Sequence, residues 1–137
     1  MKSLLTILSL AIIIHLTACK KDNSETITSL TGKWIMIGNY ISAGGPQYYV
    51  PVNDYSSYVI FNTDGSVGGT AFGTFTQYSL KDSVTIYMVT ADKSKYENYR
   101  YRIRHDTLTM SPAGPTFCIE GCSTLFIKQS GNIIKSK

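Results

Sequence analysis

From Leu30 to Gln129 the apolar residues recur with a period of two, and clusters of Gly, Pro, Asn, Asp and Ser interrupt them about every ten positions. A helix would need apolar residues three and four apart over a dozen positions, and no stretch of this region provides that. The pattern therefore predicts an all-β domain, a sheet that closes on itself. The alternation is clearest in two matching segments. Tyr78-Ser79-Leu80-Lys81-Asp82-Ser83-Val84-Thr85-Ile86 is echoed by Tyr101-Arg102-Ile103-Arg104-His105-Asp106-Thr107-Leu108-Thr109-Met110. Each reads as a hairpin with a polar turn. The period puts Tyr78, Leu80, Val84 and Ile86 on one face, as it does Tyr101, Ile103, Leu108 and Met110. The opposite face of the second hairpin collects Arg100, Arg102 and Arg104, the solvated side of a half-buried sheet.

Around these hairpins the remaining strands are expected at Lys33 to Ser42, Tyr58 to Asn62, Ser66 to Phe72 and Ser123 to Gln129. Gln47 to Ser57 reads as a long aromatic loop and Ser111 to Thr116, with two prolines, as another. Gly68-Gly69 inside a strand predicts a bulge or sharp bend. Leu125-Phe126-Ile127 predicts a last strand covered on both faces. Residues 130–137 read as a tail.

The N-terminus has a different character. Met1-Lys2-Ser3 is followed by an apolar run from Leu4 to Leu16, about 13 residues against the roughly 20 that a membrane-spanning helix needs. Residues 1–18 thus read as a cleaved leader. Its last residues and the next, Leu16-Thr17-Ala18-Cys19, resemble the bacterial lipobox, which implies lipidation of Cys19 as the first mature residue. Acyl chains there would hold the protein on a bilayer, since each buried methylene contributes about 0.8 kcal/mol. Residues 19–29 are polar, without aromatics, and read as a spacer; Lys20-Lys21-Asp22-Asn23-Ser24-Glu25, with its sparse acids, also partly resembles a surface-export signal of Bacteroidota-type lipoproteins.

Removing 18 of 137 residues leaves 119, enough for one core. The full chain carries 13 Lys and Arg against 9 Asp and Glu; without Lys2 the balance is 12 to 9, or +3. That is too weakly basic and too scattered for a dedicated nucleic-acid binder. With Cys19 assigned to lipid, Cys118 and Cys122 are an even pair in an oxidising compartment and are expected to form a disulfide across a short hairpin loop. Free thiols are the alternative. A zinc site lacks ligands, because His105 is the only histidine after the leader.

His105 sits in a turn beside Asp106, and no glycine-flanked serine accompanies it. Asp54, Asp64, Asp82, Asp92 and Asp106 read as turn residues whose carboxylates cap backbone groups, with Glu97 and Glu120 as the remaining acids. Gly44-Gly45 and Gly68-Gly69 precede no helix that would hold a phosphate. No enzyme, metal or cofactor is expected. Asp82-Ser83-Val84 and Asp106-Thr107-Leu108 resemble an O-glycosylation acceptor of exported Bacteroidota proteins, with Ser83 and Thr107 as the acceptors.

Leu30-Thr31-Gly32-Lys33-Trp34 resembles the Gly-x-Trp signature of lipocalins. The order of motifs is similar to small lipocalin-like lipoproteins of Bacteroidota: Gly-x-Trp, then Val59-Ile60-Phe61 running into Asp64-Gly65, the Tyr-x-Leu and Asp-Thr-Leu hairpins, and a cysteine-flanked last strand. The resemblance covers residues 30–129. It implies a small antiparallel up-and-down β-barrel of about eight strands, lipocalin-like, with Trp34 plugging its closed end; the C-terminal helix of long lipocalins is not matched, so a shallow cavity is expected. It also implies a small hydrophobic or amphipathic ligand, for which Trp34, Tyr48, Tyr49, Tyr55, Tyr58, Tyr78 and Tyr101 are the candidate contacts. The alternative is a filled barrel that acts as a protein-interaction or inhibitor module of the envelope. Either protein would sit lipid-anchored on a bacterial outer membrane, on its periplasmic or surface face.

Overall fold

The computed structural model describes residues 29–119 and 121–130. The leader 1–18, Cys19, the spacer up to residue 28, Glu120 and the tail from residue 131 lie outside the described residues.

Nine strands follow one another: β1 (Gly32–Ile41), β2 (Tyr48–Pro51), β3 (Tyr58–Phe61), β4 (Val67–Gly69), β5 (Gln77–Leu80), β6 (Thr85–Val89), β7 (Tyr96–Arg104), β8 (Thr107–Pro112) and β9 (Ser123–Lys128). Their hydrogen-bonded order is β4-β3-β1-β9-β8-β7-β6-β5, every ladder being antiparallel. The two ends of that order meet. Ser66 bridges Gln77, Val67 N donates to Thr76 O at 2.8 Å and Tyr78 N to Gly65 O at 2.7 Å. These bonds close the sheet into an up-and-down barrel.

The ninth strand does not widen it. β2 and β3 both pair with the same edge of β1, at Gly38–Ile41 and Gly32–Ile35 respectively. They are two pieces of one position in the barrel wall, parted by residues 52–57. Eight positions therefore surround the core, enough for an interior that side chains can just fill. The stretch from Gln47 to Ser57, expected as a loop, is a strand over Tyr48–Pro51. All four residues of β2 are exposed, so its sequence has no alternation to read.

The interior follows the period of two. Trp34, Val59, Phe61, Ile86, Met88, Leu108, Met110 and Phe126 are almost completely buried, and Tyr78, Tyr99, Tyr101, Ile103 and Phe72 pack against them. At roughly 1.5–3 kcal/mol for each buried side chain of this size, these eight hold the barrel together. Trp34 closes one end. Its Nε1 donates to the Leu30 carbonyl at 2.7 Å, so the indole is buried without leaving its donor unpaired. We call this the basal end; the short turns 62–66, 81–84 and 105–106 share it.

Other expectations shift in detail. The strand expected from Ser66 to Phe72 ends at Gly69, where the chain turns with φ 103° and the amides of Thr70 and Ala71 both donate to Tyr58 O. A Cβ at Gly69 would collide with that carbonyl, which explains the glycine. Leu80 and Val84 lie on the face shared with Ile86, but beyond the barrel end, and are 53% and 46% exposed. In β9 only Phe126 is fully buried; Leu125 and Ile127, on the outer face, are half-buried rather than covered.

Cys118 and Cys122 form a disulfide with Cα atoms 5.8 Å apart. It does not sit across the β8–β9 hairpin as the sequence suggests. β8 ends at Pro112, a bridge pairs Ala113 with Phe117, and the clasp lies within the connection that follows.

Candidate functional site

The end opposite Trp34 carries the longer connections, 42–47, 70–76, 90–95 and 113–122. A hollow of about 270 Å³ opens there, lined by Asn39, Ile41, Phe72, Tyr99, Pro112 and Thr124 among others. A bulge in β1 makes this lining. Between Met36 and Gly38 the register against β9 shifts by one residue at Ile37, so that Asn39 and Ile41 point inward where strict alternation from Trp34 would place Gly38 and Tyr40. Asn39 Oδ1 then accepts a hydrogen bond from the Thr124 hydroxyl at 3.0 Å inside the mouth.

Phe72 forms the floor. Its ring lies 5.0 Å from that of Tyr99 and 5.9 Å from that of Phe126, centroid to centroid, which caps the packed interior below. Burial, reinforced by the nearby Glu97 charge, pushes the Tyr99 phenol up to about 12. Glu97 itself is buried and accepts the Thr116 amide on both oxygens at 3.2 Å, tying the 113–117 loop to β7. Asn98 secures the same loop from outside, donating from Nδ2 to Gly114 O at 2.8 Å while its Oδ1 stays buried without a partner.

Around the mouth stands an apolar rim. Tyr40, Ile41, Tyr48, Tyr49, Val50, Tyr96, Phe117 and Ile119 are all exposed, Phe117 to 69% and Ile119 to 96%. Tyr49 is held in place. Its ring covers Gly38, where a Cβ would strike it, its hydroxyl donates to Ile37 O at 2.7 Å, and it stacks 5.4 Å from Tyr40.

The candidate ligand contacts are not gathered at one place. Trp34 is wholly buried at the basal end. Tyr78 packs 5.0 Å from Phe61 and donates to Asn62 O at 2.9 Å, and Tyr101 is core packing; both belong to the basal half. Burial and the charge of Asp64 raise the Tyr78 phenol above its usual range. Tyr58 lies on the outer wall beneath Lys33, whose Nζ is 4.1 Å from the ring centre, and Tyr55 is exposed in the 52–57 excursion. Only Tyr48 and Tyr49 stand at the mouth. Sequence reasoning did not select Asn39, Phe72, Tyr99 or Thr124; the signal for the first two lay in a bulge and a chain reversal that period-two counting does not register.

The remaining candidates occupy basal turns. Ser83 is exposed in the 81–84 turn, where Asp82 accepts the Val84 amide at 2.8 Å; Thr107 starts β8 beside Asp106, 3.2 Å from its carboxylate. His105 has a φ of 53° in the two-residue turn between β7 and β8. Asp54, Asp64, Asp82 and Asp92 each accept a backbone amide two residues on. All four carboxyls are held below their usual range, chiefly by the Ser56 hydroxyl at Asp54, the Ser66 hydroxyl at Asp64, the Val84 amide at Asp82 and the Thr90 hydroxyl at Asp92, which lies at about 2; the amides two residues on add to this at the other three. Among the described residues no three of His, Cys, Asp and Glu gather as a metal site.

The fold and this mouth define a small lipocalin-like β-barrel. Compared with models of known protein families and with curated proteins, the chain matches none.

Proposed function

We propose that the chain is a lipid-anchored envelope protein whose lipocalin-like barrel is a protein-interaction module, working through its exposed apolar rim. The observation that supports this most is the occupied interior. Eight side chains between Trp34 and Phe126 fill the space where a ligand-carrying barrel holds its cargo. The hollow left at the mouth, about 270 Å³, falls below the 300–1,000 Å³ typical of ligand pockets. A large apolar rim around a packed barrel suits a flat partner better than an enclosed amphiphile.

Cys19 supplies the anchor in this reading, on a bacterial outer membrane, and the protein performs no catalysis. Replacing Cys19 with Ala releases the protein from the membrane fraction; persistence there contradicts the anchor. A second reading, one small ring seated over Phe72 and hydrogen-bonded to Asn39 or Tyr99, is favoured by the polar groups of the mouth.

Site-specific photocrosslinking in the intact cell envelope separates the rim from the wall. A photoreactive residue at Tyr48, Tyr96 or Phe117 is expected to yield a discrete protein adduct, and one at Ser79 on the outer wall none. Equal yields at Ser79 and at the rim contradict the proposal.

A further inference from the structure

We infer that the basal end of the barrel is a docking surface for the headgroups of anionic phospholipid, so that the barrel stands on its membrane with the mouth turned away. The inference rests on the proposed anchor, which keeps the barrel close to a bilayer at high effective concentration.

The first support is the state of the arginine row. The β6–β7 ladder stops at Thr85 and Arg100, with one more bond from Tyr101 N to Val84 O at 2.7 Å. β7 runs on to Arg104, paired only with β8. Arg102 and Arg104 therefore have a strand on one side alone. Across the ladders Arg100 faces Thr85 and Ser111, Arg102 faces Thr109, and Arg104 faces Thr107. These are all hydroxyl residues. No carboxylate stands opposite any of the three, so their guanidinium groups remain turned to whatever lies outside.

The second support is what surrounds them. A hollow of about 440 Å³ lies along Val84, Arg100, Arg102, Thr109 and Ser111, and another of about 260 Å³ lies where the β6 and β7 chains part at Ser83 and Ile103. Leu80 and Val84, exposed at the β5–β6 tip, flank Lys81. Apolar side chains beside cations at a chain tip match the boundary between headgroups and acyl chains.

The third is the distribution of charge along the barrel. Lys33, Lys81, Arg102, Arg104 and Lys128 lie at the basal end against Asp64, Asp82 and Asp106, whereas at the opposite end Lys93 and Lys95 are matched by Asp92 and Glu97. Because charges are screened within about 8 Å at physiological salt, a bilayer responds to the end it faces rather than to the net charge of the whole.

The single tryptophan, Trp34, lies at this end and reports the distance. The mature lipoprotein, purified in detergent, is reconstituted into vesicles of phosphatidylcholine with or without phosphatidylglycerol, each with a trace of headgroup-labelled dansyl lipid. Energy transfer from Trp34 to dansyl is expected to be higher on the anionic vesicles and to fall to the neutral-vesicle level in high salt. R100Q/R102Q/R104Q is expected to lower the ratio of docked to free barrel by about fivefold per arginine, while K93Q/K95Q leaves it unchanged. Equal transfer on both kinds of vesicle, or an unaltered triple variant, overturns the inference. Flotation with pure phosphatidylcholine vesicles tests the anchor separately. A chain that does not float there lacks the anchor; its binding to anionic vesicles alone then supports the docking surface, and no binding to either overturns it.

Discussion

The two ends of this barrel use the same strands for opposite purposes. At the basal end the turns are short, an aspartate in each accepts a bond from the residues it turns, and Trp34 seals the interior with its one polar atom satisfied. At the mouth the connections are long, one is clasped by a disulfide, and apolar side chains from Tyr40 to Ile119 face outward. The difference teaches where stability and recognition are kept. Side chains that could have widened a cavity fill the basal half, and those that could have joined the core are displayed on the rim.

The largest effect is expected from Trp34→Ala. Loss of the plug should destabilise the barrel by about 3–5 kcal/mol, seen as a lower midpoint in guanidinium unfolding. A change under about 1 kcal/mol would mean that the basal end is not the sealed one. Gly69→Ala comes next. Its positive φ and the Tyr58 carbonyl should cost about 1–3 kcal/mol, whereas Gly45→Ala, with open space around its Cβ position, should unfold like the parent chain.

The disulfide should matter less and only at the mouth. Closing so short a loop contributes about 2 kcal/mol by the chain-entropy estimate, so Cys118→Ser with Cys122→Ser should speed amide exchange in 113–122 and leave β6 protected. Faster exchange throughout β6 would show that the two ends are coupled. Tyr99 gives the pH dependence of the mouth. Its folded value of about 12 lies above the ordinary 10, so the folded state keeps a proton that the unfolded chain releases. The contribution of Tyr99 is whole below pH 10 and declines from there to about pH 12. Ultraviolet titration should show Tyr78 and Tyr99 ionising after the exposed tyrosines, and Tyr99→Phe should remove the part of that late step centred near pH 12. The smallest effect on folding belongs to the rim: Tyr48→Ser and Tyr96→Ser should alter stability by no more than about 0.5 kcal/mol while abolishing the crosslinks made from Phe117.

The basal half was largely legible in the sequence, and the mouth was not. Ile86, Leu108 and Met110 face inward because each hairpin alternates strictly up to a short polar turn, and Gly32-Lys33-Trp34 marked the plug through its resemblance to the lipocalin signature. At the mouth three devices break the alternation. The bulge at Ile37 exchanges the faces of β1, so Asn39 becomes lining and Tyr40 rim. β2 is exposed on both faces and carries Pro51, which hides it among loop residues. Phe72 reaches the interior from a reversal after Gly69, where no strand period applies. The cysteine pairing followed from parity, but its position within the 113–122 connection depends on the Ala113–Phe117 bridge and the Glu97 contact, which join residues far apart in the chain.

The central claim, that the barrel is filled and works by its surface, is tested most directly by weighing the protein from its own host under native and then denaturing conditions. A filled barrel gives the same mass in both, the chain with whatever is covalently attached to it. A companion of lipid or pigment size that is present in the native spectrum and lost on denaturation would contradict it.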